Sequence, residues 1–102
     1  EVVQYQQESR HLARLVTDGV FNSLTNYTVR QELKSDRFFV LKGTLMPGIL
    51  IEAGFISNKK DLKFLTNEKK LEQLCMGIAL GIKKYIDEFH RTEGFTSEVF
   101  TQ

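Results

Sequence analysis

Residues 46–58 read MPGILIEAGFISN and carry the strongest indication of the fold in this chain of 102 residues. Residues 49–51 form a continuous apolar run, which is typical of a strand that is buried on both faces. Pro47 and Gly48, residues typical of turns, precede the run, and Gly54 follows it closely. The pattern therefore predicts a short buried strand over residues 49–51, with Glu52 directly after its last residue.

Outward from this stretch, the sequence alternates between strand and helix signals. Residues 38–41 (FFVL) are rich in strand formers and predict a second short strand. Apolar residues spaced by three or four predict amphipathic helices over residues 3–24 and 71–89, and Lys59–Leu65 predicts a short helix between them. We therefore predict an α/β fold, in which about two strands of a mostly parallel sheet are packed by helices.

Residues at the ends and in the interior of the predicted helices carry further information. Asn58 stands immediately before the short helix and can serve as its N-cap, and Asn67, four residues before the apolar stripe that begins at Leu71, can cap the last helix. Gly77 and Gly81 are poor helix formers in the middle of the last helix. Their presence predicts that this helix approaches a sheet or another helix closely.

Composition bounds the class of protein. The chain contains 14 Lys and Arg residues and 13 Asp and Glu residues, so its formal charge is +1. A protein that binds nucleic acid through bulk charge needs a larger positive excess, so this composition argues against nucleic acid as a partner. No apolar run approaches the roughly 18 residues of a membrane span. The length fits one domain, which we place at residues 1–90, followed by a polar tail at 91–102.

Glu52 is the candidate catalytic residue, because it is a carboxylate set inside an apolar segment. We expect it to be buried at the carboxyl end of a strand, where open α/β sheets bind their ligands. A carboxylate in that position could act as a general base. The alternative is a structural ion pair with Arg30 or Arg37.

The histidines and the cysteine do not form a metal-binding pattern. His11 and His90 are 79 positions apart, and neither has a companion ligand at a typical zinc spacing. The single Cys75 excludes an internal disulfide, and its place on the apolar stripe of the last helix predicts a buried side chain. We therefore assign no metal ligand to this chain.

Residues 46–58 closely resemble the signature of zinc-dependent N-acetylmuramoyl-L-alanine amidases, a family of bacterial cell-wall hydrolases. The flanking sequence is similar as well, at the helix that contains Ser9 and Leu12, at the strand of residues 39–41 and at the final helix around Gly81. The resemblance covers about residues 8–89 and implies that residues 1–90 are the C-terminal portion of an amidase catalytic domain with a three-layer fold.

The resemblance implies an enzyme that cleaves the amide bond between N-acetylmuramic acid and L-alanine of the stem peptide. Members use a zinc ion held by two His and one Glu, and a second Glu, matched here by Glu52, acts on the attacking water. The motifs that bear the zinc ligands lie upstream in the family and do not occur in this sequence. This chain alone is therefore expected to bind no zinc and to be inactive.

The resemblance also implies partners and a location. The substrate would be peptidoglycan, in the periplasm or the extracellular cell wall. Strands without neighbours expose hydrogen-bonding edges, so we expect a homodimer, a swapped assembly or pairing with the missing N-terminal half. Two alternatives stay open: a non-catalytic amidase-like binding or regulatory module, favoured by the absence of the metal motifs, and an unrelated small α/β domain.

Overall fold

A computed structural model describes residues 5–25 and 45–94 of the chain and shows three helices there. Helix α1 is Gln6–Ser23, helix α2 is Lys59–Leu65 and helix α3 is Glu68–Thr92. The prediction of α2 is confirmed at both ends, and the predictions of the two long helices are confirmed to within three residues at their ends. Helix α3 extends two residues into the segment that was predicted as a polar tail, and residues 95–102 lie outside the described part.

The N-termini of α2 and α3 are capped as the sequence predicts. The Asn58 side chain accepts a hydrogen bond from the Asp61 backbone N–H at 3.0 Å. The Asn67 side chain does the same for the Lys70 backbone N–H at 2.9 Å. Each cap satisfies a backbone donor that has no partner within its helix, and this fixes where the helix begins.

Helices α1 and α3 pack antiparallel with their backbones in direct contact. A β-carbon added at Gly77 would lie 2.5 Å from the Cα of Val20, and one added at Gly81 would lie 2.5 Å from the Cα of Val16. Only glycine allows so close an approach. The prediction that these two glycines mark a close contact is confirmed, and the neighbouring element is a helix.

A small core holds the three helices together. It consists of buried side chains from α1, from the residue that follows it, from α2 and from α3: Val16, Val20, Leu24, Phe64 and Leu74. The short α2 joins the helix pair mainly through Phe64, which is 5% exposed. Both long helices are amphipathic, and within the described ranges no helix is long and apolar enough to cross a membrane.

The α/β prediction is wrong for the part of the chain that the structure describes, because that part contains helices and no strand. Residues 49–51 are irregular, and Leu50 and Ile51 are 48% and 42% exposed instead of buried on both faces. A strand requires a hydrogen-bonded neighbour, and residues 49–51 have none among the described residues. The predicted strand at residues 38–41 lies outside the described part, and so the three-layer arrangement is not seen.

The buried face of α3 also differs from the prediction. The face that contacts α1 centres on Leu74, Gly77 and Gly81, whereas the apolar periodicity placed Cys75 and Ile82 on it. Cys75 is exposed, so its predicted burial is wrong. The reason is that the two glycines have no side chain, so the backbone of α1 packs directly against their face of α3. Part of the apolar stripe of α3 therefore faces outward.

Candidate active site

Glu52 lies on an irregular segment, residues 47–55, that precedes α2. Its side chain is exposed, so the expected burial at a strand end is wrong for this chain. Ile51 and Phe55 of the same segment are also exposed, at 42% and 61%. The segment therefore lies at the surface, and the carboxylate is accessible to water. The alternative partners Arg30 and Arg37 lie outside the described residues.

The beginning of this segment is attached to α1. The Gly48 backbone N–H donates a hydrogen bond to the Ser9 hydroxyl oxygen at 3.0 Å. The next residue, Ile49, packs against the core while remaining partly exposed. The first contact joins the chain four residues before Glu52 to α1, and the second joins it to the core of the three helices.

The end of the segment is attached to α2. The Phe55 backbone N–H donates to the Asp61 carboxylate at 3.0 Å, and the Asn58 backbone N–H donates to the Phe55 carbonyl at 3.0 Å. Gly54 adopts a φ of +154°, and a β-carbon added there would lie 3.2 Å from the Cβ of Asp61. The backbone two residues after Glu52 therefore adopts a conformation, and lies close enough to Asp61, that glycine is favoured there.

A cleft of about 580 Å³ opens between the N-terminal end of α1 and the C-terminal end of α3. Its lining combines Met46 and Pro47 with Glu8 of α1 and Tyr85 of α3, and Glu52 does not line it. Burial, together with the nearby Glu8 carboxylate, raises the pKa of Tyr85 to about 12. The phenol therefore stays neutral at physiological pH. Because Glu52 does not line the cleft, the cleft is separate from the candidate catalytic carboxylate.

The two histidines lie on the two long helices, His11 on α1 and His90 on α3. The His11 Nε2 of α1 is 2.7 Å from the Glu88 Oε1 of α3, in a contact that is largely shielded from solvent and links the two helices. His90 is exposed in the last turn of α3. Among residues 5–25 and 45–94, no three His, Cys, Asp or Glu side chains come together to hold a metal ion. The described residues therefore do not fit a zinc site.

Sequence reasoning missed the two side chains that hold the Glu52 segment, Ser9 and Asp61. Asp61 carries a partial signal, because an acidic residue three positions after an N-cap can reach back to the backbone N–H of the cap residue; here it accepts instead from Phe55, three residues further back. Ser9 carries no local signal, since its partner Gly48 is 39 residues away.

Comparison with known proteins places this chain among amidases. The sequence model of N-acetylmuramoyl-L-alanine amidases matches residues 2–84. The N-acetylmuramoyl-L-alanine amidase AmiC of Neisseria meningitidis is 32% identical over 81 residues, which make up 79% of this chain and 19% of that protein. The germination-specific N-acetylmuramoyl-L-alanine amidase of Bacillus subtilis is 28% identical over 81 residues, 79% of this chain and 34% of that protein.

A third relative, the uncharacterized protein YqiI of Bacillus subtilis, is 32% identical over 82 residues, 80% of this chain and 39% of that protein. The chain thus spans between 19% and 39% of the length of these curated relatives. No solved structure is significantly similar to it. The match over residues 2–84 covers most of the sequence, and the chain belongs to the N-acetylmuramoyl-L-alanine amidase family.

Proposed function

We propose that this chain is part of a peptidoglycan hydrolase that cleaves the amide bond between N-acetylmuramic acid and L-alanine of the stem peptide. The observation that carries the proposal is the family match over residues 2–84, which includes the whole signature stretch at residues 46–58. The proposed site of action is the periplasm or the extracellular cell wall, where peptidoglycan lies.

Glu52 is the proposed general base. Its exposed carboxylate accepts a proton from the water that attacks the carbonyl carbon of the amide, so a C–O bond forms. As the C–N bond breaks, the same proton is delivered to the departing nitrogen of L-alanine. The products are a free carboxylic acid on the lactyl group and a free α-amine on the peptide.

The zinc ion that the family resemblance implies is proposed to be held by polypeptide outside this chain. Two observations support this arrangement. The described residues provide no zinc site, and the chain corresponds to only 19–39% of the length of its relatives.

The exposed apolar residues support a packing partner for the chain. Large apolar side chains are exposed on α3 and on the segment around Glu52: Leu50, Ile51, Phe55, Ile56, Ile82, Ile86 and Phe89. Ile82, Ile86 and Phe89 are spaced by four and three residues, so they share one face of α3. We propose that the remaining amidase polypeptide covers these residues, and the homodimer is the competing arrangement.

A non-catalytic amidase-like binding or regulatory module is the second candidate. The observation that favours it is the lack of three converging metal ligands in residues 5–25 and 45–94. The two candidates differ in whether the completed protein turns over its substrate or only binds it.

The metal content and the hydrolytic activity of two samples test the proposal. We expect the isolated chain to contain no zinc and to release nothing from purified peptidoglycan. A polypeptide that also carries the zinc-ligand segment should contain one zinc per molecule and hydrolyse the substrate. Stoichiometric zinc without hydrolysis in the completed polypeptide would support the binding module, and hydrolysis by the isolated chain would contradict the need for further polypeptide.

A further inference from the structure

We propose that Ser9 and Asp61 are positioning residues for Glu52, because they hold the two ends of the segment that carries its carboxylate. This inference rests on the proposed catalytic role of Glu52. Ser9 accepts from the backbone N–H four residues before Glu52, and Asp61 accepts from the backbone N–H three residues after it.

Little else fixes the chain between these two hydrogen bonds. Leu50, Ile51 and Ala53 are exposed, as is Glu52 itself, and only Ile49 packs against the core. No helix or strand hydrogen bonds stiffen residues 49–53. The direction of the Glu52 side chain therefore depends on where the two ends of the segment are held.

The two acceptors belong to different helices of one packed unit. Ser9 lies in α1, and Asp61 lies in α2, which joins the α1–α3 core through the buried Phe64. The carboxylate of Asp61 is itself located by the turn around Asn58, whose side chain accepts from the Asp61 backbone N–H. The helices thus form a rigid unit. The Ser9 and Asp61 side chains fix the position of the surface segment relative to that unit.

A purely structural role for Asp61 is the competing explanation, because an acidic residue in the first turn of a helix stabilises that helix electrostatically. Substitution by Asn separates the two roles. Asp61→Asn keeps an oxygen that can accept from the Phe55 N–H but removes the charge, whereas Asp61→Ala removes both. Ser9→Thr and Ser9→Ala form the corresponding pair for the hydroxyl group.

Nuclear magnetic resonance of the 102-residue chain tests the positioning role without any activity measurement. In Asp61→Ala, we expect the Phe55 amide proton to lose the chemical shift of a hydrogen-bonded proton and the Glu52 backbone to become more mobile. In Asp61→Asn, the Phe55 shift and the Glu52 mobility should stay as in the wild type. Ser9→Ala should change the Gly48 amide, and Ser9→Thr should not. The exposed Asp18→Ala and the α1 variant Ser23→Ala are matched controls that should leave Glu52 unchanged. An unaltered Glu52 in both Asp61→Ala and Ser9→Ala would overturn the inference.

Turnover in the completed catalytic domain gives the second readout. We expect Asp61→Ala and Ser9→Ala to lower kcat by about 10- to 100-fold with a much smaller change in KM, since misplacing a catalytic group by about 1 Å has an effect of this size. Asp61→Asn and Ser9→Thr should restore most of kcat. If Glu52→Gln is inactive while Asp61→Ala retains the wild-type kcat, only the positioning inference fails. If Glu52→Gln retains full turnover, the catalytic role fails instead.

Discussion

Glu52→Gln is expected to lower the kcat of the completed amidase domain by about 10²- to 10⁴-fold, the range that a positioned proton-transfer group contributes. Glutamine has nearly the same shape as glutamate, but it cannot take a proton from the attacking water. Because Glu52 is exposed and belongs to no helix or strand, its replacement should leave the fold intact.

The measurement is the rate of hydrolysis of purified peptidoglycan, together with the zinc content and melting temperature of each variant. Glu72→Gln, an exposed carboxylate of α3, is the matched control and should behave as the wild type. Loss of turnover with unchanged zinc content and stability would support the proton-transfer role. Wild-type turnover in Glu52→Gln would remove Glu52 from the catalytic mechanism.

Gly77→Ala should destabilise the helix pair by about 2–3 kcal/mol, at the upper end of the cost of overpacking. The added methyl group would lie 2.5 Å from the Cα of Val20 and 2.7 Å from the carbonyl oxygen of Gly19. Both are backbone atoms, so the contact can be relieved only if α1 and α3 move apart. The double variant Gly77→Ala/Gly81→Ala applies the same strain one turn further along and should unfold the helix pair.

The direction of the stability change in Gly77→Ala distinguishes a direct backbone contact from an exposed helix position. In an exposed position of a helix, replacing Gly with Ala stabilises by up to about 1 kcal/mol, because Ala is the better helix former. Urea unfolding followed by circular dichroism should therefore show a lower midpoint for Gly77→Ala. Met76→Ala, at the neighbouring position that is 58% exposed, is the control and should change the midpoint little. A higher midpoint for Gly77→Ala would contradict the direct backbone contact between the helices.

The helices could be predicted from the sequence because their signals are local. Asn58 and Asn67 cap the helices that follow them through hydrogen bonds that span only three residues. The strand prediction at residues 49–51 failed because an apolar run specifies an extended chain but not a neighbour to pair with. The buried face of α3 was predicted only in part, since hydrophobicity patterns give no weight to Gly77 and Gly81, which determine the contact.

The candidate site shows the same division between local and distant signals. Glu52 could be singled out because it is a carboxylate inside an apolar segment that also resembles a contiguous family signature; its catalytic role stays a prediction, and its predicted burial was wrong. Ser9 could not be found, because its contact with Gly48 depends on how α1 packs beside a segment that lies 39 residues away. A sequence pattern predicts a candidate reactive group, whereas tertiary packing determines what holds its segment in place.

The identity of the bond that is cleaved tests the central proposal most directly. Intact peptidoglycan is digested with the completed amidase domain, and the soluble products are identified by mass spectrometry. We expect stem peptides that begin with a free L-alanine amine and glycan strands whose N-acetylmuramic acid retains a free lactyl carboxylate. New reducing sugar ends, or cuts within the peptides while the muramoyl–alanine amide stays intact, would contradict the account.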